Sequence, residues 1–171
     1  LGHGGKVKNV SITGGDPLNP RHRKGLLELI LLLKREGYFV NIEVTGHEFV
    51  PEVFSLVDFI SMDLKTPSCK KPGTVGPLLE TAKLFREKLQ LKSVIQVRED
   101  FDFTMKAREE MKKSLGEITF PWCLTPAYND EDEKPVERID QIFHWNEEQG
   151  GPFRVIIQQH KLIYGTKRRD V

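Results

Sequence analysis

Thr13-Gly14-Gly15-Asp16-Pro17 closes the first apolar run, Val7 to Thr13, and is the first place along the chain where residue types suggest chemistry. Two adjacent glycines let backbone approach a ligand closely, yet neither G-x-G-x-x-G nor G-x-x-x-x-G-K-[ST] is present, so no familiar phosphate cradle is implied. An acidic side chain directly after the glycines, held by Pro17, repels phosphate and attracts an ammonium. The ligand expected at Asp16 carries an amine; the alternative is that Asp16 only caps the turn into the next helix. Later apolar runs also end in polar clusters: Glu43-Val44-Thr45-Gly46, Asp63-Leu64-Lys65-Thr66-Pro67, Gln96-Val97-Arg98-Glu99, Thr125-Pro126-Ala127-Tyr128 and Gln158-Gln159-His160-Lys161. A single polar turn after a strand is ordinary loop chemistry. Six in succession mark one rim of a sheet.

The elements that position these clusters alternate as strand and helix. Val7 to Thr13 reads as a strand. Arg21 to Glu36 reads as a helix, apolar enough in its middle to be buried, and ends at Gly37 in a C-cap position. Tyr38 to Thr45 is the second strand, a short helix carries Pro51 in its first turn, and Phe59 to Leu64 is the third strand, ended by Pro67. From Val75 to Leu91 the residues Leu78, Ala82, Phe85 and Leu89 recur at helical spacing. Val94, Ile95 and Val97 form a fourth strand; Asp102 is the expected N-cap of a helix whose stripe is Ala107, Met111 and Leu115. Ile118 to Leu124 is a fifth strand interrupted by Pro121. The acidic stretch Asn129 to Glu133 is a loop before a helix that starts at Pro135 and turns Val136, Ile139 and Phe143 inward. Phe153 to Gln159 closes the series as a strand whose carboxyl end is abruptly polar. Short strands alternating with such helices pair in parallel through right-handed crossovers, as a doubly wound sheet or a barrel. Both architectures put ligands at the strand carboxyl ends.

Composition narrows the partner. At 171 residues with 38% apolar side chains, the chain can bury one core without metal or disulfide staples, and a single domain over 1–171 is expected. A formal charge of +1 provides no field to hold nucleic acid or an anionic membrane, so a small molecule is the expected partner. Cys69 and Cys123 match neither a disulfide framework nor a C-x-x-C metal knuckle, which points to a reducing, cytoplasmic setting. The longest apolar run, Leu26 to Leu33, is broken by Glu28 and is far shorter than the roughly 20 residues needed to cross a bilayer.

Gly14-Gly15-Asp16-Pro17 after an apolar strand resembles the Gly-Gly-Glu-Pro motif of radical S-adenosylmethionine enzymes. Glu43-Val44-Thr45-Gly46 resembles a Glu-Thr-Asn-Gly segment, and Asp63-Leu64-Lys65-Thr66-Pro67-Ser68 the Asp-x-Lys-x-Pro-Ser segment, of the 7-carboxy-7-deazaguanine synthases. Gln158-Gln159-His160-Lys161 resembles their closing Gln-x-His-Lys, so the likeness extends from residue 7 to 165. The resemblance implies an α/β partial barrel of parallel strands of the radical S-adenosylmethionine type. It implies conversion of 6-carboxy-5,6,7,8-tetrahydropterin to 7-carboxy-7-deazaguanine with loss of ammonia, toward queuosine and archaeosine. The implied cofactors are S-adenosylmethionine, a [4Fe–4S] cluster and Mg2+, with a flavodoxin or ferredoxin as reductant and a homodimer as possible assembly. Carried over by position, Gly14, Gly15 and Asp16 meet the methionine end of the cofactor, and Glu43, Thr45, Asp63 and Lys65 line the same cleft. Gln158, His160 and Lys161 reach the pterin.

Three departures accompany the likeness. The C-x-x-x-C-x-x-C motif that precedes the Gly-Gly segment in the superfamily is absent, and Cys69 and Cys123 cannot replace it. Asp16 stands where the family has glutamate, and Thr45-Gly46-His47 lacks the family asparagine. The expectation is a domain incomplete at its amino terminus, lacking its first strand, cluster loop and magnesium ligand, and inert as written. The other readings are a different radical S-adenosylmethionine enzyme, such as one that activates glycyl radical proteins, a cluster-free binding module, and a metal-independent barrel enzyme using Asp63 and His160 as acid and base.

Overall fold

The computed structural model describes residues 6–128 and 135–165. The expected loop from Asn129 to Glu133 lies outside them. The chain runs β1 (Asn9–Ile12), α1 (Arg23–Arg35), β2 (Phe39–Val44), α2 (Pro51–Phe54), β3 (Phe59–Asp63), α3 (Val75–Phe85), a 3-10 turn (Arg86–Lys88) and β4 (Leu89–Ile95). It continues through α4 (Arg98–Leu115), β5 (Trp122–Pro126), α5 (Pro135–Glu148) and β6 (Arg154–Val155) to α6 (Gln159–Tyr164). All six strands are parallel and lie in the order β1-β2-β3-β4-β5-β6. A doubly wound sheet reverses its order part-way. A sequential order joined by right-handed crossovers brings each connecting helix to the same face.

That one-sided layering is written into the strands. Val40, Ile42 and Val44 of β2, Ile60 and Met62 of β3, and Leu89, Leu91 and Ile95 of β4 are buried on the helical side, with Ile30, Leu78, Phe101, Met111 and Ile142 from the helices. Residues of opposite parity are mostly polar and only half-buried. The strands are therefore not uniformly apolar, as expected from their short runs, but alternate with period two.

Several boundaries differ from the sequence reading, each for a local reason. Helix α3 ends at Phe85 rather than Leu91, because Leu89 and Leu91 belong to β4, where Leu89 pairs with Ile60. Leu89 is spaced four residues from Phe85 and two from Leu91, so it satisfies helical and strand periodicity at once. Pro121 does not interrupt β5 but precedes it, its carbonyl accepting the Leu91 amide at 2.9 Å, so no ladder donor is lost. Helix α4 begins at Arg98, four residues before Asp102, which pairs with Arg98 at 2.9 Å and does not cap. Helix α5 turns Ile142 and Asn146 inward and leaves Val136 and Phe143 exposed, contrary to expectation. The amide of Asn146 brackets the backbone of Phe153 (Nδ2 to the carbonyl 3.0 Å, Oδ1 to the N–H 3.2 Å), which fixes the start of the last strand. That strand is only Arg154–Val155, and the polar segment after it winds into α6. Helix α1 buries Leu26, Ile30 and Leu33 but exposes Leu29, Leu31 and Leu32, so it is not the enclosed helix its composition suggested.

Candidate functional site

Gly14 and Gly15 form the turn after β1 with φ of +94° and +57°, a left-handed backbone that glycine adopts without strain. The space where side chains would stand is empty at both positions. Asp16, half-buried, divides its two oxygens. Oδ1 accepts the Leu18 amide at 3.2 Å, closing the turn, while Oδ2 accepts the Thr45 hydroxyl at 2.7 Å from the end of β2. The turn-cap reading of Asp16 thus describes one oxygen and leaves the other on the rim. Arg23 reaches back from the first turn of α1 to the Leu18 carbonyl at 2.9 Å and to Glu48 at 2.7 Å, bracing this turn against the loop after β2.

Asp63 ends β3 between two ammonium groups: Lys65 Nζ lies 2.6 Å from Oδ2, and Lys92 Nζ 3.2 Å from Oδ1. The loop that carries Lys65 is clamped from below. Asp100, fully buried at 0% exposure, accepts the Ser68 amide (3.0 Å), the Ser68 hydroxyl (2.7 Å) and the amides of Gln96 (2.9 Å) and Val97 (3.2 Å). Burial alone would raise its carboxyl, but the donors from Ser68, Gln96 and Val97 outweigh it and hold the group below the ordinary carboxylate range. Thr66, also buried, donates to the Val94 carbonyl at 2.8 Å.

Strand register shows what the strand-end motifs missed. Ser11, Asn41 and Phe59 lie side by side on the face opposite the helices, then Glu43, Ser61 and Gln90, then Asp63, Lys92, Cys123 and Arg154. Glu43 is thus a strand residue on the sheet face rather than a rim residue. Asn41 donates to Ser11 Oγ at 2.9 Å, and its own Oδ1 is buried without a partner among the described residues. Asn41, Ser61, Gln90 and Lys92 carry no sequence motif. Their signal is the alternation in Phe39–Val44 and Leu89–Ile95, which a sheet covered on both faces would lack.

The remaining expected residues lie at the far edge of the sheet. Gln158 is the N-cap of α6, its carbonyl accepting the Lys161 amide at 3.0 Å, and Lys161 is half-buried in the first turn. His160 is in α6, but its side chain is outside the described residues. Nearby, burial pushes the Tyr128 phenol up against the opposing effect of the Gln158 backbone. A groove of about 450 Å³ runs from Gly14 and Asp16 along Ile12, Leu26 and Leu29. It is on the helical side of β1 and shares only those two rim residues with the expected cleft.

The described residues do not fit an iron–sulfur cluster or a magnesium centre. Cys69 and Cys123 are both free thiols; burial pushes Cys123 up, opposed by Arg154 and Lys92. Among the described residues no group of three His, Cys, Asp or Glu side chains is placed to hold a metal ion. An amino-acid ammonium does fit, at Asp16 beside an unobstructed glycine turn. Among the described residues no helix is long and apolar enough to cross a membrane. Compared with known proteins, the chain matches no family model and no curated protein.

Proposed function

We propose that this chain is the S-adenosylmethionine- and pterin-binding part of a 7-carboxy-7-deazaguanine synthase-like radical S-adenosylmethionine enzyme, a cytoplasmic partial-barrel lyase in 7-deazapurine formation. The observation that carries the proposal is the Asp16–Thr45 pair: a carboxylate on a double-glycine turn, oriented by a hydroxyl from the next strand at 2.7 Å. The Thr45 hydroxyl fixes Oδ2, and the carboxylate retains lone pairs for an ammonium. Gly14 and Gly15 let the cofactor's amino-acid end approach the backbone. Glu43 and the Asp63–Lys65 pair extend the polar lining across β2 and β3. Gln158, His160 and Lys161 supply amide, imidazole and ammonium groups suited to the edges of a pterin. S-adenosylmethionine, once bound, supplies the group that activates the pterin; the residues of this chain bind and orient both. The [4Fe–4S] cluster, Mg2+ and a flavodoxin or ferredoxin reductant belong to the proposed activity, and no residue of this chain is assigned to them.

Calorimetric titration with S-adenosylmethionine tests the reading. Wild type binds, and Asp16→Ala binds more weakly by about 1.5–3 kcal/mol, the worth of one hydrogen bond to a charged group. Equal affinities reduce Asp16 to a turn residue, and no binding by wild type removes the cofactor assignment. The cysteine inventory favours a second reading, a cluster-free binding module. It predicts the same titration, with no deazaguanine formed even by the protein of the intact reading frame when reductant and a cluster source are supplied.

A further inference from the structure

We propose that Lys92, a residue of no strand-end motif, forms a carboxylate-binding subsite for the second small molecule of this site. The inference rests on the proposed function and extends it by naming the group that meets the acid of the pterin. Lys92 lies in the middle of β4 on the polar face, registered with Asp63 on one side and Cys123 on the other. Its Nζ is 3.2 Å from Asp63 Oδ1, while Lys65 takes Oδ2 at 2.6 Å. The three side chains are only 27%, 17% and 28% exposed for Lys92, Asp63 and Lys65. Two ammonium groups, both partly withdrawn from water, thus face one carboxylate and leave one positive charge unmatched.

Nothing else described nearby matches it. Glu43 forms no ion pair with either lysine among the described residues, and Cys123 is kept a neutral thiol by burial, against the pull of Arg154 and Lys92. Arg154, beyond Cys123 on the same face, is outside this cluster, and the surplus of one charge at Asp63 itself suits a carboxylate. The position also decides which ligand carries that carboxylate. With neighbouring strands about 4.8 Å apart, β4 lies roughly 14 Å from β1, too far for the ammonium and carboxylate of one amino acid to meet Asp16 and Lys92 together. The acids without an ion pair among the described residues, Asp16 in the turn after β1 and Glu43 on β2, lie to one side, and the two lysines, Lys65 after β3 and Lys92 on β4, to the other. Ser61 and Gln90, joined at 3.5 Å beside the lysine, add a hydroxyl and an amide for the ring that bears the acid.

Fluorescence titration with pterin-6-carboxylate and with pterin, which lacks the acid, tests the subsite. Wild type prefers the acid, and the preference falls as ionic strength rises. Lys92→Gln weakens binding of the acid by about tenfold, as loss of one charge-assisted hydrogen bond predicts, and leaves pterin binding unchanged. Lys92→Arg keeps the preference. Because Asp63 retains Lys65 in both variants, the thermal transition stays near that of wild type. If Lys92→Gln is nevertheless destabilised, loss of the preference in Lys92→Arg or its indifference to salt in wild type still refutes the subsite. An undiminished preference in Lys92→Gln overturns the subsite and leaves the pterin site standing. Failure of wild type to bind either pterin overturns the proposed function and the subsite with it.

Discussion

Asp100 shows how one buried side chain connects stability to the rim. Its carboxylate joins the loop after β3, through Ser68, to the turn between β4 and α4, through Gln96 and Val97. As the third residue of α4 it also returns a bond to the amide of Val97, which precedes the helix. Asp100→Asn keeps the shape but loses the charge, and should lower stability at neutral pH by about 1.5–3 kcal/mol. The sign follows from the direction of the shift. The folded carboxyl is held below the unfolded value of 3.8, so the stabilisation is complete above that pH and fades as pH falls through the lower folded value. Urea unfolding of both proteins from pH 7 down through the acid range should show their curves converge at the acid end. A constant gap would mean that Asp100 acts by shape alone. The residue was visible in the sequence only as one acid among three between Glu99 and Asp102. Which acid caps depended on where the helix begins, and hydrophobic spacing locates such a boundary only to within a turn.

Between elements, Gly46 sets the spacing of the rim. It follows β2 with φ of +71°, and a Cβ there would overlap the backbone carbonyl oxygen of Asp63 and crowd Leu78. Gly46→Ala therefore combines a left-handed backbone penalty with overpacking and should destabilise by about 2–5 kcal/mol. It should also displace the end of β3, where Asp63 holds Lys65 and Lys92. Denaturant unfolding checks the first effect, and weaker binding of pterin-6-carboxylate at a temperature where the variant is folded checks the second. Stability equal to wild type would show that the loops separate freely. The sequence placed a glycine at a strand end, which suggested only a turn; the close approach of the next strand's backbone is a tertiary fact. Helix α1 makes the same point, since leucines all around it gave no way to decide which face the sheet covers.

For the whole molecule, the sequential strand order separates two jobs across the sheet, with helices on one face and polar side chains on the other. Among the described residues the cysteines take no part in a metal-ligand group: Cys123 is buried within β5, and Cys69 is half-buried in the loop before α3. Anaerobic reconstitution of this chain with iron and sulfide should therefore give no stoichiometric four-iron cluster, as measured by metal analysis and visible charge-transfer absorption. Full loading would show that these two thiols recruit ligands that their positions do not suggest.

Alternation of short apolar runs with amphipathic segments was sufficient to determine an α/β chain of parallel strands, because each periodicity reports the local backbone and needs no knowledge of neighbours. Type and spacing marked Gly14, Gly15 and Asp16 as a strand-end turn, because a turn motif is local; that Asp16 meets Thr45 of the next strand is a tertiary fact. Whether the sheet winds sequentially or doubly, which face stays polar, and that Lys65 and Lys92 share Asp63 across two strands were decided only by tertiary structure. Strand register brings together residues about thirty positions apart, and no local pattern encodes that pairing.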